Sequence, residues 1–285
     1  MSEFTPGKLV NLSRLVHRVV ANNAGMMTGP GTNSYLIGNQ QIAVIDPGPA
    51  NPKHIDAIIE AADSLQGQIQ WILCTHTHLD HSPGAALLKE KTGAVICGQP
   101  APPGNSQDAN FKPDQHWQDT SELACEEFSL SAIHTPGHAS NHLCFLLHDE
   151  NLLFTGDHIM SGSTVVISPP DGNMVQYLTS LERLKTYSID NLAPAHGGIL
   201  TNPLEIIEGT IKHRLMREKK VLERIPTLES CDIESLTASV YDEVPVFLHP
   251  IARMSLMAHL EKLEEEKRVA VNEGLWELLS FTPGL

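Results

Sequence analysis

The segment THTHLDHSPG at residues 75–84 places three histidines and one aspartate within six positions. It directly follows IQWILC, an apolar run at residues 69–74 that predicts a buried strand. Several imidazoles in one place would not stabilise a hydrophobic core, and they would not stabilise a solvated turn either. A metal ion does use them, so the segment predicts a metal site at the end of a strand, with the ligands His76, His78, Asp80 and His81.

Further candidate ligands stand in three other short segments, each at the predicted end of a strand or in the turn after it. They are His138 in HTPGH, Asp157 in TGDH and His196 in PAHGG. Strand ends are where a layered α/β fold gathers its site. We therefore expect all of these residues to converge with the first segment.

The spacing divides the ligands between two ions. Side chains at positions i and i+2 of an extended chain point the same way, so His76 and His78 can reach one ion together. The expected groups are His76, His78 and His138 for one ion, Asp80, His81 and His196 for the other, and Asp157 as a bridge. Imidazole with few carboxylates and no thiolate suits zinc, with manganese or iron as alternatives. A structural zinc site would be closed by four ligands, whereas this set leaves open positions and so predicts catalysis.

Other polar residues near these motifs give weaker signals. Asp46, which ends the strand IAVID, can hydrogen-bond a ligand histidine and fix its tautomer, or can be a plain turn residue. His134 lies four residues before His138 and is expected to stand behind the ligands rather than bind metal. His142 and His158 could donate a proton to a leaving group, but we favour ordinary positions for both.

Short β-like runs alternate with helical patterns up to about residue 202, which predicts a layered α/β domain over residues 1–202. A hairpin is expected over 34–46. Helices are expected over 51–65, 84–93 and 174–187, and strands over 69–74, 94–97, 127–135, 142–147, 151–156 and 191–198. Asn51 with Pro52 resembles a helix start, and Gly93 a helix end. The loop at 98–119 is either a rim of the site, with Phe111, His116 and Trp117, or partly disordered.

The pattern changes beyond residue 202, and we predict a second domain over residues 203–285. Helices are expected over 203–225, 230–244 and 249–269, followed by a hairpin over 267–279. Helices followed by a two-stranded wing resemble a winged helix. A helical cap that merely covers the main domain is the alternative.

The formal charge is −15, which is unfavourable for non-specific duplex binding. The charge is uneven, because residues 212–224 (KHRLMREKKVLER) hold six Lys and Arg. No apolar run is long enough for a membrane helix, and the N-terminus lacks the pattern of a secretory signal. Five scattered cysteines suggest a reducing compartment, so we expect a cytoplasmic protein, with Cys74 and Cys144 in the core.

The motifs THTHLDH, HTPGH, TGDH and AHG, together with GTNSYLIG and IDPG, resemble those of the metallo-β-lactamase superfamily over about residues 15–200. The resemblance implies an α+β fold, a four-layer αββα sandwich with two metals in a cleft at the sheet edges. The family's metal roles carry over to the ligand set named above. GSTVV, HRLMRE and the final ARMSLMAHLEKLEEEKRV resemble the lactamase-beta-like protein 2 family, whose animal members are endoribonucleases on single-stranded RNA and whose fungal relatives include thioesterases.

The function expected from these observations is hydrolysis by a metal-bridging hydroxide, with Asp80 orienting the nucleophile or accepting its proton. The first hypothesis for the substrate is single-stranded RNA, supported by the resemblance and the basic segment. The second is a thioester of the glyoxalase II or acyl-carrier type, supported by the acidic charge. β-Lactam hydrolysis ranks low, and a DNA-binding tail on a vestigial metal domain is disfavoured by the complete ligand set.

Overall fold

The computed structural model describes residues 3–228 and 231–279. Its N-terminal half forms a mixed sheet around the strand that leads into THTHLDH. In spatial order the strands are β1 (Leu9–Asn11), β2 (Val16–Val20), β3 (Asn33–Ile37), β4 (Gln41–Ile45), β5 (Gln68–Leu73), β6 (Val95–Gly98) and β7 (Gln115–His116). β4, β5 and β6 are parallel. Parallel neighbours need crossovers, and these are the helices α1 (Pro52–Ser64) and α2 (Gly84–Thr92).

The ends of these helices follow from local sequence. The side chain of Asn51 accepts a hydrogen bond from the backbone N–H of Lys53 at 3.0 Å, and Pro52 occupies the first turn. Gly93 ends α2 in the left-handed conformation at φ 74°. The helix start predicted at Asn51 and the helix end predicted at Gly93 are both confirmed.

The second half of the main fold forms another sheet. Its strands are β8 (Glu122–Ala124), β9 (Ser129–His134), β10 (Leu143–Leu147), β11 (Leu152–Gly156), β12 (Asn191–Pro194) and β13 (Leu200–Thr201), with β13 at one edge and β8 at the other. β11 and β12 are parallel and are connected through α3 (Met174–Leu184). Asn173 caps this helix by accepting from the N–H of Gln176 at 2.9 Å.

Three clusters of apolar side chains hold the two sheets and the helices together in layers. One cluster joins the inner faces of the two sheets, with Tyr35 and Phe154 in edge-to-face contact at 5.0 Å between ring centres. A second cluster lies between the first sheet and α1 and α2, and a third between the second sheet and α3. The result is the αββα order that the resemblance implied. Cys74 and Cys144 are buried, as predicted.

The C-terminal part consists of α4 (Pro203–Arg224), α5 (Ile233–Val240), α6 (His249–Glu265) and a hairpin of β14 (Val269–Asn272) and β15 (Leu275–Leu278). The predicted helix over 230–244 is shorter than expected, and residues 229–230 lie outside the described residues. The helix predicted to reach 269 ends at Glu265. Ile207 of α4 and Ala258 of α6 pack into the cluster behind the second sheet. The division at residues 202 and 203 therefore stays a prediction.

The sequence interpretation missed short strands at the sheet edges, such as β1 and β8, and gave β9 too early a start. Runs of three residues with at most one buried side chain carry little periodic signal. Over the described residues, no helix combines the length and the apolar character that a membrane span requires.

Candidate metal centre

Strand ends from both sheets meet at one edge of the sandwich. β5, β11 and β12 each end directly before a predicted ligand segment. The backbone N–H of Leu143 donates to the carbonyl of Thr75 at 2.7 Å, and that of Ala195 donates to Gly156 at 3.0 Å. The first bond joins the second sheet to the strand end of β5, and the second joins the neighbouring strand ends of β11 and β12. The four ligand segments, far apart in sequence, thus come together.

Three histidines form a tight group on one side of this edge. Nδ1 of His78 lies 3.0 Å from Nε2 of His76 and 3.0 Å from Nε2 of His138. Bonds of about 2.0–2.1 Å to a tetrahedral zinc ion place nitrogen ligands roughly 3.3 Å apart. The structure brings together the three residues that the spacing assigned to one ion.

A second group contains the other three residues. Nε2 of His81 and Nε2 of His196 each lie 3.3 Å from Oδ2 of Asp80. The three ligand atoms lie within 4.8 Å of one another. This is the set that the sequence assigned to the second ion.

Asp157 lies between the two groups. Its Oδ2 is 3.6 Å from Nε2 of His138 and 3.6 Å from Nε2 of His81, and its Oδ1 is 3.3 Å from Nε2 of His196. One carboxylate therefore faces histidines of both groups, the position that a bridging ligand requires.

The ring nitrogens that face away from the site are mostly held by hydrogen bonds. Nδ1 of His138 donates to the carbonyl of Val166 at 2.7 Å, and Nδ1 of His196 lies 3.3 Å from that of Gly31. Nδ1 of His76 lies 3.0 Å from the hydroxyl of Thr75. These partners orient the rings so that each Nε2 faces the site.

Asp46 is placed as the sequence suggested. Its Oδ2 lies 2.9 Å from Nδ1 of His81. The same carboxylate accepts from the backbone N–H and the hydroxyl of Thr75, each at 2.8 Å. Asp46 thus contacts a candidate ligand and the strand end beside it.

Two glycines in the motifs are required by close approach. A Cβ on Gly137 of HTPGH would lie 2.4 Å from Cα of Tyr177, and one on Gly156 of TGDH would lie 2.6 Å from Nε2 of His142. Both residues also have positive φ, 145° and 49°. The motif glycines therefore let α3 and the TGDH turn approach the ligands.

Burial and charge set the ionisation of the candidate ligands. Burial, with added repulsion from neighbouring histidines, lowers the pKa of His76 well below its usual value and that of His78 to about 3. Burial also acts to lower the pKa of His196, but the nearby carboxylates, chiefly Asp157, raise it to about 9. Burial acts to raise the pKa of Asp157, while the imidazole of His196 holds it well below its usual value. His76 and His78 are thus neutral at pH 7, the form that binds metal.

Three ligand atoms at the centre have no hydrogen-bond partner among the described residues, although each is buried: Nε2 of His81, Nε2 of His196 and Oδ1 of Asp157. A buried polar atom without a partner is costly. All three belong to the facing groups described above, so a divalent cation would satisfy them together. The donor set therefore fits metal ions.

Comparison with known proteins gives the family. Residues 27–196 match the family described as the metallo-beta-lactamase superfamily. The chain belongs to this superfamily. It is accordingly a metal-dependent hydrolase, and its cofactors are divalent metals.

Residues 233–276 of this superfamily member match the beta-lactamase associated winged helix domain. The match decides between the two interpretations of the C-terminal helices, and the winged-helix prediction is confirmed.

Individual relatives are similar over much of the chain. A Beta-lactamase-like protein 2 homolog of Drosophila melanogaster is 29% identical over 93% of this chain and 93% of its own length. An Atrochrysone carboxyl ACP thioesterase of Cryptosporiopsis sp. is 28% identical over 77% of this chain and 65% of its own length. A metallo-beta-lactamase family protein of Thermus thermophilus has the same fold, with a TM-score of 0.78 at 18% identity over 94% of this chain and all of its own.

The remaining histidines near the site of this metallo-beta-lactamase superfamily protein have different positions. Nε2 of His134 contacts the carbonyl of Ser140 at 2.9 Å, so this side chain stands behind the HTPGH turn. His142 is fully buried, and its Nε2 accepts from the backbone N–H of Asp157 at 3.2 Å. His158 is also fully buried. The contact of His142 with the backbone of Asp157 was not predicted. Almost every residue has a peptide N–H, so the sequence does not indicate which one a histidine will contact.

The loop at 98–119 is docked against the segment that carries the candidate ligands His76 and His78. The backbone N–H of Asp108 donates to the carbonyl of Thr77 at 2.6 Å, and the Thr77 hydroxyl donates to Gln107 at 2.6 Å. Phe111 and Trp117, which were candidates for the rim, are instead buried in the core. The contact with the site is therefore made by the polar residues of the loop.

The basic segment 212–224 is largely engaged inside the C-terminal part. Arg214 is buried. Ion pairs to the acidic turn at 242–243 take up Arg217, Lys220 and Arg224. Lys219 faces Glu223 of the same helix at 3.6 Å. These side chains therefore do not form a continuous cationic surface, which weakens the support that the basic segment gave to the RNA hypothesis.

Proposed function

We propose that this protein is a dinuclear metal hydrolase that cleaves thioesters of apolar acyl groups. His76, His78 and His138 would hold one ion, Asp80, His81 and His196 the other, and Asp157 lies where it could serve both. The support is the set of buried ligand atoms that face one another without other partners. Bound zinc, or alternatively manganese or iron, would make water a nucleophile at neutral pH and polarise the bond that is cleaved.

We assign to Asp80 the role of accepting the proton of the attacking water. Its carboxylate is partly accessible, with 28% of the side chain exposed, against 11% for Asp157. The hydroxyl of Thr32 donates to Oδ2 of Asp80 at 3.1 Å, and Oδ2 is also the atom that faces the histidines. Oδ1 is thus the atom available to orient the water and accept its proton.

The observation that carries the choice of substrate is an apolar rim, which we define as Met26, Met27 and Leu79. These side chains are 65%, 51% and 55% exposed. Leu79 lies between the ligands His78 and Asp80 in the chain. Exposed apolar groups beside a polar site mark a binding surface for an apolar ligand.

The loop that carries the two methionines is fastened to the site. The side chain of Asn23 donates to the hydroxyl of Thr32 and accepts from its backbone N–H, both at 2.9 Å. The hydroxyl of Thr32 in turn contacts Asp80. The base of the loop at 23–32 is therefore anchored beside the second group of candidate ligands, and we assign the methionines of this loop to contact with an acyl chain attached to a reacting carbonyl. The name of the fungal relative, an Atrochrysone carboxyl ACP thioesterase, supports the same class of reaction.

Single-stranded RNA is the second candidate. It is favoured by the similarity to the Beta-lactamase-like protein 2 homolog over nearly the whole chain, including the winged helix. The charge distribution is unfavourable, because most of the basic side chains of α4 are buried or paired. Lys212 and Lys219 are the exposed cations of the segment 212–224 and would have to carry the contact with phosphate.

A substrate panel tests these candidates. Metal-loaded protein is assayed with acyl-carrier and coenzyme A thioesters of increasing chain length, with S-lactoylglutathione, and with labelled single-stranded RNA. The double variant Met26→Ser, Met27→Ser should lower kcat/KM for long acyl thioesters about tenfold or more, because apolar contact is lost. Met216→Ser, an equally exposed methionine on α4, is the matched control and should have no effect.

If single-stranded RNA is the substrate, a different pair of substitutions should affect turnover. Lys212→Glu with Lys219→Glu should weaken RNA cleavage and flatten its dependence on salt, while thioester hydrolysis stays unchanged. Lys53→Glu, at an exposed lysine on α1, is the control for a lysine-to-glutamate substitution outside this segment. RNA cleavage with this response, together with no turnover of any thioester, would refute our choice of substrate.

A further inference from the structure

The segment Val165–Ile167 connects the candidate metal centre to the C-terminal helices. It lies between the TGDH turn and α3, and Val165 and Ile167 are buried. The carbonyl of Val166 accepts from Nδ1 of His138 at 2.7 Å. This carbonyl therefore sets the direction in which the imidazole of His138 points.

The two neighbouring residues are held by helices of the C-terminal part. The carbonyl of Val165 accepts from Nη2 of Arg214 on α4. The backbone N–H of Ile167 donates to the hydroxyl of Ser255 on α6 at 3.3 Å. The segment is thus held on both sides of the peptide group that contacts His138.

Arg214 also reaches the chain that follows Asp157. Its guanidinium lies 5.3 Å from the ring centre of Tyr177 on α3. The hydroxyl of Tyr177 donates to the carbonyl of His158 at 2.9 Å. One side chain of α4 therefore contacts the supports of two ligand segments.

The position of Arg214 is costly. The residue is only 3% exposed, and among the residues that the structure describes it has no carboxylate partner within ion-pair distance. Burying a guanidinium without an anion is unfavourable. Its guanidinium donates to a backbone carbonyl beside the candidate metal site. The unfavourable burial of this charge is therefore better explained by a role in holding the site than by packing.

We propose that Arg214 and Ser255 are positioning residues of the metal centre: they hold Val165–Ile167 so that the Val166 carbonyl keeps Nε2 of His138 aimed at the first ion. The winged-helix part is then a support of the catalytic centre and not an independent module. The inference rests on the proposed function, because it requires His138 to be a ligand.

The variants Arg214→Met and Ser255→Ala test the proposal. Arg217→Met is the matched control, because Arg217 also lies on α4, donates to a backbone carbonyl, that of Val240, and packs on an aromatic ring, that of Tyr241. Its contacts remain within the C-terminal part. Cobalt or zinc affinity is measured for each site by competition with a chelator, and the cobalt absorption spectrum is recorded.

Arg214→Met should weaken one of the two metal sites about 10–100-fold, as loss of a supporting contact does elsewhere, and should change its cobalt spectrum. Ser255→Ala should act on the same site more weakly. Arg217→Met should leave both affinities unchanged. If Ser255→Ala and Arg214→Met, or Ser255→Ala alone where Arg214→Met does not fold, bind both metals with wild-type affinity and spectrum, the proposal is wrong.

A measurement on the metal-free protein separates this proposal from the proposed function. The Nδ1–H of His138, hydrogen-bonded to Val166, should give a slowly exchanging proton resonance in the wild type and a faster exchanging one in Arg214→Met. Unchanged exchange in the variant would contradict the positioning role whatever the wild type hydrolyses. A wild-type protein that binds fewer than two metal ions would instead contradict the proposed function.

Discussion

Oδ2 of Asp46 lies 2.9 Å from Nδ1 of His81, on the side of the imidazole opposite the candidate metal. The carboxylate fixes the tautomer that leaves Nε2 free for a cation and makes the ring a stronger donor. Asp46→Asn should therefore weaken metal binding about 10–100-fold, measured by chelator competition. Asp63→Asn, an exposed position on α1, should bind as the wild type does, and wild-type affinity in Asp46→Asn would contradict the role.

The assignment of ligands predicts different losses for two residues of the cluster. His78→Ala removes the atom that both His76 and His138 face at 3.0 Å, so it should lose about one equivalent of bound metal and nearly all turnover. Asp80→Ala should also abolish turnover. Metal content by plasma spectroscopy and steady-state rates check both, with the exposed His116→Ala as control. Near wild-type rates in either variant would remove that residue from the catalytic centre.

The candidate ligands could be predicted from sequence because metal binding requires particular side chains, which the sequence shows directly. Histidine and aspartate at strand ends have few structural roles, so the seven candidate residues, which the structure brings together, could be named from separate segments without coordinates. For Asp46 the sequence offered two interpretations, a partner of a ligand histidine and a plain turn residue, and the structure shows the contact with His81.

Other features of the structure could not be predicted from sequence, because they depend on tertiary contacts that no particular residue type indicates. The segment 212–224 has the composition of a basic surface, and only the fold shows that three of its cations pair with the acidic residues 242–243 and that Arg214 is buried. Phe111 and Trp117 lie in a polar, proline-rich stretch, and the sequence could not show that both are buried. The link from Arg214 to His138 passes through backbone carbonyls, which every residue possesses.

Gly137 gives a prediction about stability. A Cβ at this position would lie 2.4 Å from Cα of Tyr177, and the backbone φ is 145°. Gly137→Ala should cost about 2 kcal/mol or more in the free energy of unfolding. Gly209→Ala is the matched control, because Gly209 lies inside α4 with no atom within 4 Å of the added Cβ. It should stabilise the protein by about 0.5–1 kcal/mol. Equal effects of the two substitutions in urea denaturation would contradict the close approach of α3.

His259 on α6 predicts an acid sensitivity of the C-terminal part. It is fully buried, and neither ring nitrogen has a hydrogen-bond partner within the described ranges. Burial lowers its pKa to about 3, and the positive groups that face it add to the effect: Arg214, Lys262, Arg217 and His213. The folded state therefore keeps His259 neutral where the unfolded chain, with a pKa of about 6.5, takes up a proton.

Because the unfolded state binds more protons, stability falls as the pH drops below about 6.5, by about 2 kcal/mol at pH 5 from this one group. His259→Leu removes the titrating ring and should flatten the pH dependence between 7 and 5 by that amount, as measured by urea denaturation at a series of pH values. His148→Leu, at an exposed position, should keep the wild-type slope. Parallel profiles for the wild type and His259→Leu would show that His259 is not held neutral by its burial.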